Sequence, residues 1–427
     1  MIARLPYTLL WILALPFVLL RLVWRARRQP EYLQHVAERF GHYRVRTVGP
    51  AFWVHAVSVG ETRAAEPLVR ALLARWPERN VVLTHMTPTG RATSEALFSD
   101  EPRVQRVYLP YDLGFLATRF LRHFRPAAGL ILETELWPNL LAACRRRDVP
   151  VLLANARLSQ RSAARYARWP TLTRLTLGAL SAVGAQTDAD AGRLAQLGGR
   201  RVVVTGNIKF DIAPPDRQLR LGERFRARFG GRPVMLAAST REGEEAVILD
   251  AFGAAAPTDA LLALVPRHPQ RFDEVAGLIE ARGLKCQRRS DDRAVEPDTC
   301  VWLGDSMGEM FAYYAAADVA LIGGSWLPFG GQNLIEACAV GTPVVLGPHT
   351  FNFTLVAEQA IAAGAALRAG DIAAGMSAAT ALLTDAGRRK DMGDAGRRFA
   401  GAHRGATERT MAIVEEMVGG GGEADEG

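Results

Sequence analysis

A rhythm that runs twice limits this chain more than any other feature. From Ala51 onward, short apolar stretches suited to strands alternate with amphipathic stretches of helical period. In the first run the candidate strands are residues 52–57, 81–85, 104–109, 129–133, 151–155, 182–186 and 202–205, with helical patterns such as 61–75 and 136–147 between them. The alternation lapses over the arginine-rich stretch 211–231 and restarts with strands at 234–238, 260–265, 301–303, 319–322 and 343–346. Strand and helix alternating at this spacing imply a parallel sheet covered on both faces. At 427 residues the chain is also too long for one ordinary core. The expectation is an α/β protein with two doubly wound domains, 29–211 and 212–418, facing a cleft. An apolar segment in 1–28 precedes them, and a disordered glycine-rich tail, 419–427, follows.

The segment from Tyr7 to Trp24 reads YTLLWILALPFVLLRLVW. Its eighteen residues, if helical, span about 27 Å, close to a hydrocarbon core of roughly 30 Å. Trp11 and Trp24 suit membrane interfaces, and Pro16 is tolerated in lipid. No small-residue cleavage site follows, which argues against a removed signal peptide. The first reading is a single-span anchor, with an interfacial helix as the alternative. Arg25, Arg27 and Arg28 follow the run, so the positive-inside rule keeps the body of the chain in the cytoplasm.

A net charge of +8 suggests anionic partners. Only Lys209, Lys285 and Lys390 are lysines among 52 basic residues, however, and this skew toward arginine accounts for part of the charge. No dense basic block with interleaved aromatics of the kind that grips nucleic acid is present, so nucleic acid is not an expected partner. Cys144, Cys286, Cys300 and Cys338 lie far apart, as reduced thiols do, rather than in a disulfide frame or zinc site. No H-x-x-x-H, D-x-D or cysteine cluster offers an obvious metal site, so neither a metal nor another cofactor is expected. A Walker A loop is also missing, which disfavours ATPase chemistry.

Ligands of open parallel sheets sit beyond the carboxyl ends of the strands, so polar residues there carry the search. The first strand exits into HAVSVGE. Glu61 at that helix start is either a favourable cap on the dipole or a general base at the mouth of the cleft. The fourth strand ends in LETELWPN. Glu133 closes an apolar strand, where an idle charge is costly to bury, whereas Glu135 reads as a helix cap. Lys209, in GNIKFD, delivers a compact charge to a leaving phosphate or, alternatively, makes an interdomain salt bridge.

Three strand–turn–helix junctions of the second run together suggest a nucleotide site. Arg267 and His268, in VPRHP, suit a phosphate or a base edge. GDSMGEM places Met307, Gly308 and Glu309 at a second turn. GGQNLIEA places Asn333, Leu334, Ile335 and Glu336 at a third, where helix-start amides bind phosphate and the Glu336 carboxylate suits a ribose diol. Arg161, Arg165, Arg168, Trp169 and Arg174 form a basic, aromatic stretch, either a contact for anionic lipid or an ordinary solvated helix.

Seven motifs in order (SVGE at 58–61, ETELWPN at 133–139, GNIKFD at 206–211, PRHP at 266–269, GDSMGEM at 304–310, GGQNLIEA at 330–337 and GPHTFNF at 347–353) resemble the 3-deoxy-D-manno-octulosonic acid (Kdo) transferases of lipopolysaccharide synthesis. The resemblance implies a GT-B glycosyltransferase that inverts the anomeric centre. It would carry Kdo from CMP-Kdo to the tetra-acylated lipid A precursor at the cytoplasmic face of a bacterial inner membrane, in contact with its anionic lipids. It also implies roles: Glu61 as proton acceptor, Glu133 and Lys209 as transition-state stabilisers, and Arg267, His268, 307–309 and 333–336 as the CMP-binding segments. The chain departs from many relatives in carrying Gln332 in place of a histidine, an amide that hydrogen-bonds without adding charge. Two rivals share parts of this reading. A transferase or epimerase using a uridine nucleotide sugar fits the same architecture. A non-enzymatic, membrane-anchored lipid-binding protein leaves Glu61, Glu133 and Lys209 without a role.

Overall fold

The computed structural model describes residues 2–45, 49–211, 213–255, 257 and 259–419. All but the first residue of the expected tail lies outside them. Two compact units emerge: one holds residues up to Asp211 together with those from Arg404 on, the other Ile212–His403.

In the first unit, seven strands form one parallel sheet: β1 (Ala51–His55), β2 (Asn80–His85), β3 (Val104–Tyr108), β4 (Pro126–Leu132), β5 (Val151–Ala156), β6 (Ala182–Ala185) and β7 (Val202–Val204), in the order β3-β2-β1-β4-β5-β6-β7. β1, β2 and β5 are buried almost without a break, as expected of strands with helices on both faces. The order reverses between β1 and β4, and a doubly wound sheet opens its ligand crevice at such a switch point.

The second unit repeats the plan with β8 (Val234–Thr240), β9 (Leu261–Pro266), β10 (Cys286–Arg288), β11 (Val301–Leu303), β12 (Val319–Ile322), β13 (Val344–Leu346) and β14 (Ala366–Arg368), ordered β10-β11-β9-β8-β12-β13-β14. Its switch point lies between β8 and β12. β10 (CQR) and β14 (ALR) escape sequence reading because each is a three-residue edge strand ending in arginine, without the unbroken apolar run that marks the equally short edge strand β7 (VVV). Residues of the supposed lapse form the helix Asp216–Arg228, which buries Gly222 and Phe225 and packs on helix Met310–Ala316. Its surplus of arginine hid the apolar stripe.

The expected second domain, ending at 418, needs correction. Helix Ala406–Gly419 returns to the first unit and packs on helix Val59–Arg75. Asp211 ties the return by accepting the amides of Gly405 (2.7 Å), Ala406 (3.2 Å) and Thr407. Arg409 Nε donates to the Thr205 carbonyl at 2.8 Å. Gly206, at φ +86°, leaves room for that guanidinium, since a Cβ there would stand 2.9 Å from Arg409 Nη2.

Helix Leu5–Ala26 is long and apolar enough to cross a membrane. It presents a stripe of half-buried and buried positions (Tyr7, Thr8, Trp11, Leu15, Val18, Leu19, Leu22, Ala26) at helical spacing. Trp11, Leu15, Val18 and Leu19 pack on Tyr111, Leu113 and Leu116 of the first unit. Tyr7 Oη donates to Asp112 at 2.9 Å, and Asn139 Nδ2 donates to Thr8 at 3.0 Å.

Candidate active site

The carboxyl ends of β1 and β4, which flank the first unit's switch point, hold the groups singled out from the sequence. Ser58 caps helix Val59–Arg75, its hydroxyl accepting the Glu61 amide, and Glu61 stands in the first turn. The Glu61 carboxylate accepts the Val57 amide and the Ser58 hydroxyl, each at 2.8 Å. The cap reading of Glu61 is therefore realised, close to the reciprocal pattern of a capping box. The same side chain carries more than a cap. Burial, aided by the neighbouring Glu133 and Glu135 carboxylates, outweighs those two hydrogen bonds and lifts its pKa to about 7.

Glu133 follows β4 with φ at +56°, the left-handed region that a residue with a long side chain rarely adopts. Its amide donates to the Ala154 carbonyl of β5 at 3.0 Å, which holds the turn. Lys209 Nζ lies 3.2 Å from Glu133 Oε1. Asn155, also at positive φ, places the lysine's segment by accepting the Ile208 amide on Oδ1 at 3.1 Å. Glu61, Glu133 and Lys209 thus form one charged group at the strand ends of one sheet.

Glu135 does not cap the following helix. Asp112 does so instead, accepting the amides of Asn139 (3.1 Å) and Leu140 (2.8 Å). Glu135 belongs to the charged group, its pKa raised by burial and by Glu133. His55, fully buried beneath the site, is held neutral far below its usual range, at about 3, by burial. Among the described residues no cluster of three or more His, Cys, Asp or Glu side chains is placed to hold a metal.

In the second unit the strand ends gather cations and glycines. His268 is kept from protonating by burial and by Arg241 and Arg267, so at neutral pH it is a hydrogen-bonding ring beside two guanidiniums. Arg241 stacks on the Phe329 ring with its centre 4.6 Å from the centroid. Gly323 and Gly324 end β12. A Cβ on Gly323 would meet the Ser239 carbonyl oxygen at 2.4 Å, and Gly324 has φ +69°. Fully buried Glu244 holds this loop, accepting the amides of Gly324 (2.6 Å), Trp326 (2.9 Å), Leu327 (3.3 Å) and Arg241 (2.9 Å).

The remaining sequence candidates fall into two kinds. Met307 is half-exposed, and the Gly308 carbonyl accepts Gln218 Nε2 at 2.7 Å. Glu309 is engaged by Arg289 at 3.1 and 3.2 Å and by Ser306 at 2.5 Å. Asn333 bridges its own helix start, Nδ2 donating to Glu336 at 3.1 Å and Oδ1 accepting the Ile335 amide at 3.0 Å. Leu334 and Ile335 are buried. The carboxylates of Glu309 and Glu336 thus shape their turns. Sequence reading missed Arg241, Glu244 and Asn155. The first two stand in TREGEE, directly after an apolar strand, which is the signal that found Glu61.

Residues 34–212 match the family described as 3-deoxy-D-manno-octulosonic-acid transferase (kdotransferase), and residues 260–399 match glycosyl transferases group 1. The 3-deoxy-D-manno-octulosonic acid transferase of Bordetella pertussis is 48% identical over 412 residues, covering 93% of this chain and 95% of its own length. That of Haemophilus influenzae is 37% identical over 423 residues, covering 97% and 99%. A glycosyltransferase structure from Rickettsia africae superposes with a TM-score of 0.59 at 12% identity, covering 87% of this chain and 99% of that one. A UDP-GlcNAc 2-epimerase from Neisseria meningitidis superposes at 0.56 and 17% identity, covering 86% and 100%. At such identities the two structures speak for the fold alone.

Proposed function

This chain belongs to the 3-deoxy-D-manno-octulosonic acid transferase family, and on that premise we propose that it transfers Kdo from CMP-Kdo, with inversion, to a hydroxyl of the lipid A precursor. The work takes place at the cytoplasmic face of the inner membrane. The observation that carries the mechanism is the Glu61 carboxylate, fixed by Val57 and Ser58 and lifted to about 7 beside the Lys209–Glu133 pair.

A general base works best when its pKa lies near the operating pH, and Glu61 meets that condition through burial. As the acceptor oxygen bonds to the anomeric carbon of Kdo, its proton passes to Glu61. The bond from that carbon to the cytidylate phosphate breaks, and its electron pair leaves with CMP. The sugar gains oxocarbenium character on the way. Lys209 offsets negative charge on the phosphate or the sugar carboxylate, while Glu133 orients the lysine and faces the developing positive charge. In the second unit, Arg241, Arg267 and the neutral His268 supply donors for the nucleotide phosphate, and the glycine loop braced by Glu244 offers backbone to it.

Mass spectrometry of the lipid after incubation with CMP-Kdo tests the proposal: a mass increase of whole Kdo units is expected, and an unmodified lipid overturns it. The uridine-nucleotide alternative makes the opposite forecast in a simpler measurement. CMP raises the melting temperature under the present reading, and UDP does so under the alternative.

A further inference from the structure

The first unit contains a groove beside the N-terminal helix. It has a volume of about 560 Å³ and is walled by Pro6 and Leu10 of helix Leu5–Ala26, by Leu136 and Pro138, and by Tyr166 and Leu172 of helices Gln160–Ala167 and Pro170–Leu177. That volume falls within the roughly 300–1,000 Å³ of pockets that enclose organic ligands. Its lining is mostly apolar. Leu136 and Pro138 flank Trp137 in the segment that also carries Glu133 and Glu135, and Tyr166 is close enough to Glu135 to feel its charge. One end of the groove therefore adjoins the carboxylate group of the candidate active site.

Polar chemistry sits at the rim. Arg161, Arg165 and Arg168 are exposed, and none makes an ion pair or a side-chain hydrogen bond among the described residues. Trp169 stands beside them, 67% exposed. Unpaired guanidiniums next to an apolar slot match a molecule with phosphates on its head and hydrocarbon behind it.

The helix that forms one wall points the same way. Residues 7–19, about 18 Å of helix, lie against the first unit through Tyr7–Asp112, Thr8–Asn139 and the contacts on Tyr111, Leu113 and Leu116. Docking over that length covers one stripe of the helix and leaves the opposite face open to lipid. Leu9, Ile12, Leu13, Phe17 and Leu20 face outward, between 51% and 72% exposed.

We infer that this groove seats an acyl chain of the glycolipid acceptor, while Arg161, Arg165 and Arg168 hold a phosphate of its headgroup, so that the acceptor is drawn sideways from the membrane surface to Glu61. The inference rests on the lipid-acceptor reading given above. In the full-length protein, an acceptor analogue carrying a photoreactive diazirine near an acyl terminus should label peptides containing residues 3–10 and 162–176. Unlabelled acceptor should suppress the labelling, and a tenfold excess of phosphatidylglycerol should not. Labelling confined to other segments overturns the assignment, as does equal suppression by the phospholipid, which would make the groove a site for bulk lipid. A second measurement compares kcat/KM for the acylated acceptor with that for its deacylated, water-soluble headgroup. Ser162→Trp, which fills the groove, and Leu172→Ala, which widens it, should each lower that ratio, by about tenfold and severalfold. A ratio unmoved in both variants overturns the inference. Failure of the parent reading looks different: the unaltered protein would then transfer Kdo to neither acceptor.

Discussion

The two switch points of this molecule use the same amino acid in opposite ways. At β1/β4 of the first unit, Glu61 accepts two hydrogen bonds and sits beside two other carboxylates, and its pKa rises to about 7. At β8/β12 of the second unit, Glu244 is likewise raised by burial, yet it accepts four backbone amides and is fully enclosed. The first arrangement leaves a base that is easily protonated and in partial contact with solvent. The second spends the whole carboxylate on holding a glycine loop open. A raised pKa alone therefore does not mark a catalytic group; the number of hydrogen bonds already taken up, and access to a substrate, decide it.

Removing the base gives the largest effect that separates the two. Glu61→Ala should lower kcat by about 10²–10⁴-fold, the usual contribution of a positioned acid or base, with CMP affinity unchanged by calorimetry. Near-normal turnover would leave Glu61 as only a cap. Next in size, Lys209→Met should cost on the order of 10²-fold in kcat, comparable to loss of one electrostatic donor. It should also move the acid limb of the pH–rate profile upward from about 7, because Glu133 then repels Glu61's charge without its partner. A rate loss with an unmoved limb would separate Lys209 from Glu61.

Glu244→Gln tests the other switch point. The amide keeps one acceptor oxygen but turns N–H donors toward backbone N–H groups. Destabilisation of about 2–3 kcal/mol is expected from the unsatisfied buried donors, with KM for CMP-Kdo rising more than kcat falls. A fall in kcat alone would place Glu244 with Glu61 after all.

Part of this site is legible in the sequence. Glu61 and Glu133 stand out because a charge at the end of an apolar strand needs a reason, and Lys209 because lysine is rare here. Their convergence follows from the strand order, which puts β1 and β4 side by side. Contacts that depend on chain return were not legible. Asp211 anchoring the helix at Ala406, Asn155 placing Ile208, and Asp112 capping the helix after Trp137 all join residues far apart in sequence. The N-terminal helix shows the same limit: its composition reads as a span, and its docking on Tyr111, Leu113 and Leu116 was not legible.

The smallest effect concerns stability, and it sharpens the contrast from the Glu61 side. A carboxyl whose pKa is higher folded than unfolded binds its proton more tightly in the native state. Its ionisation therefore opposes folding, and stability falls as pH rises from the unfolded value of 4.5 through about 7. Glu61→Gln removes that titration while keeping the shape. Wild type and variant should unfold alike near pH 4.5 and diverge between there and pH 7, with the variant more stable at pH 8. The full shift corresponds to about 3 kcal/mol at 1.36 kcal/mol per unit; because Glu61 is only partly buried, solvent screening reduces the expected gain to roughly 1–2 kcal/mol. Denaturant midpoints across that pH range measure it. A variant that loses turnover and gains stability only above pH 5 is what a desolvated base predicts, whereas stability lost at every pH would show that the two capping hydrogen bonds outweigh the buried charge.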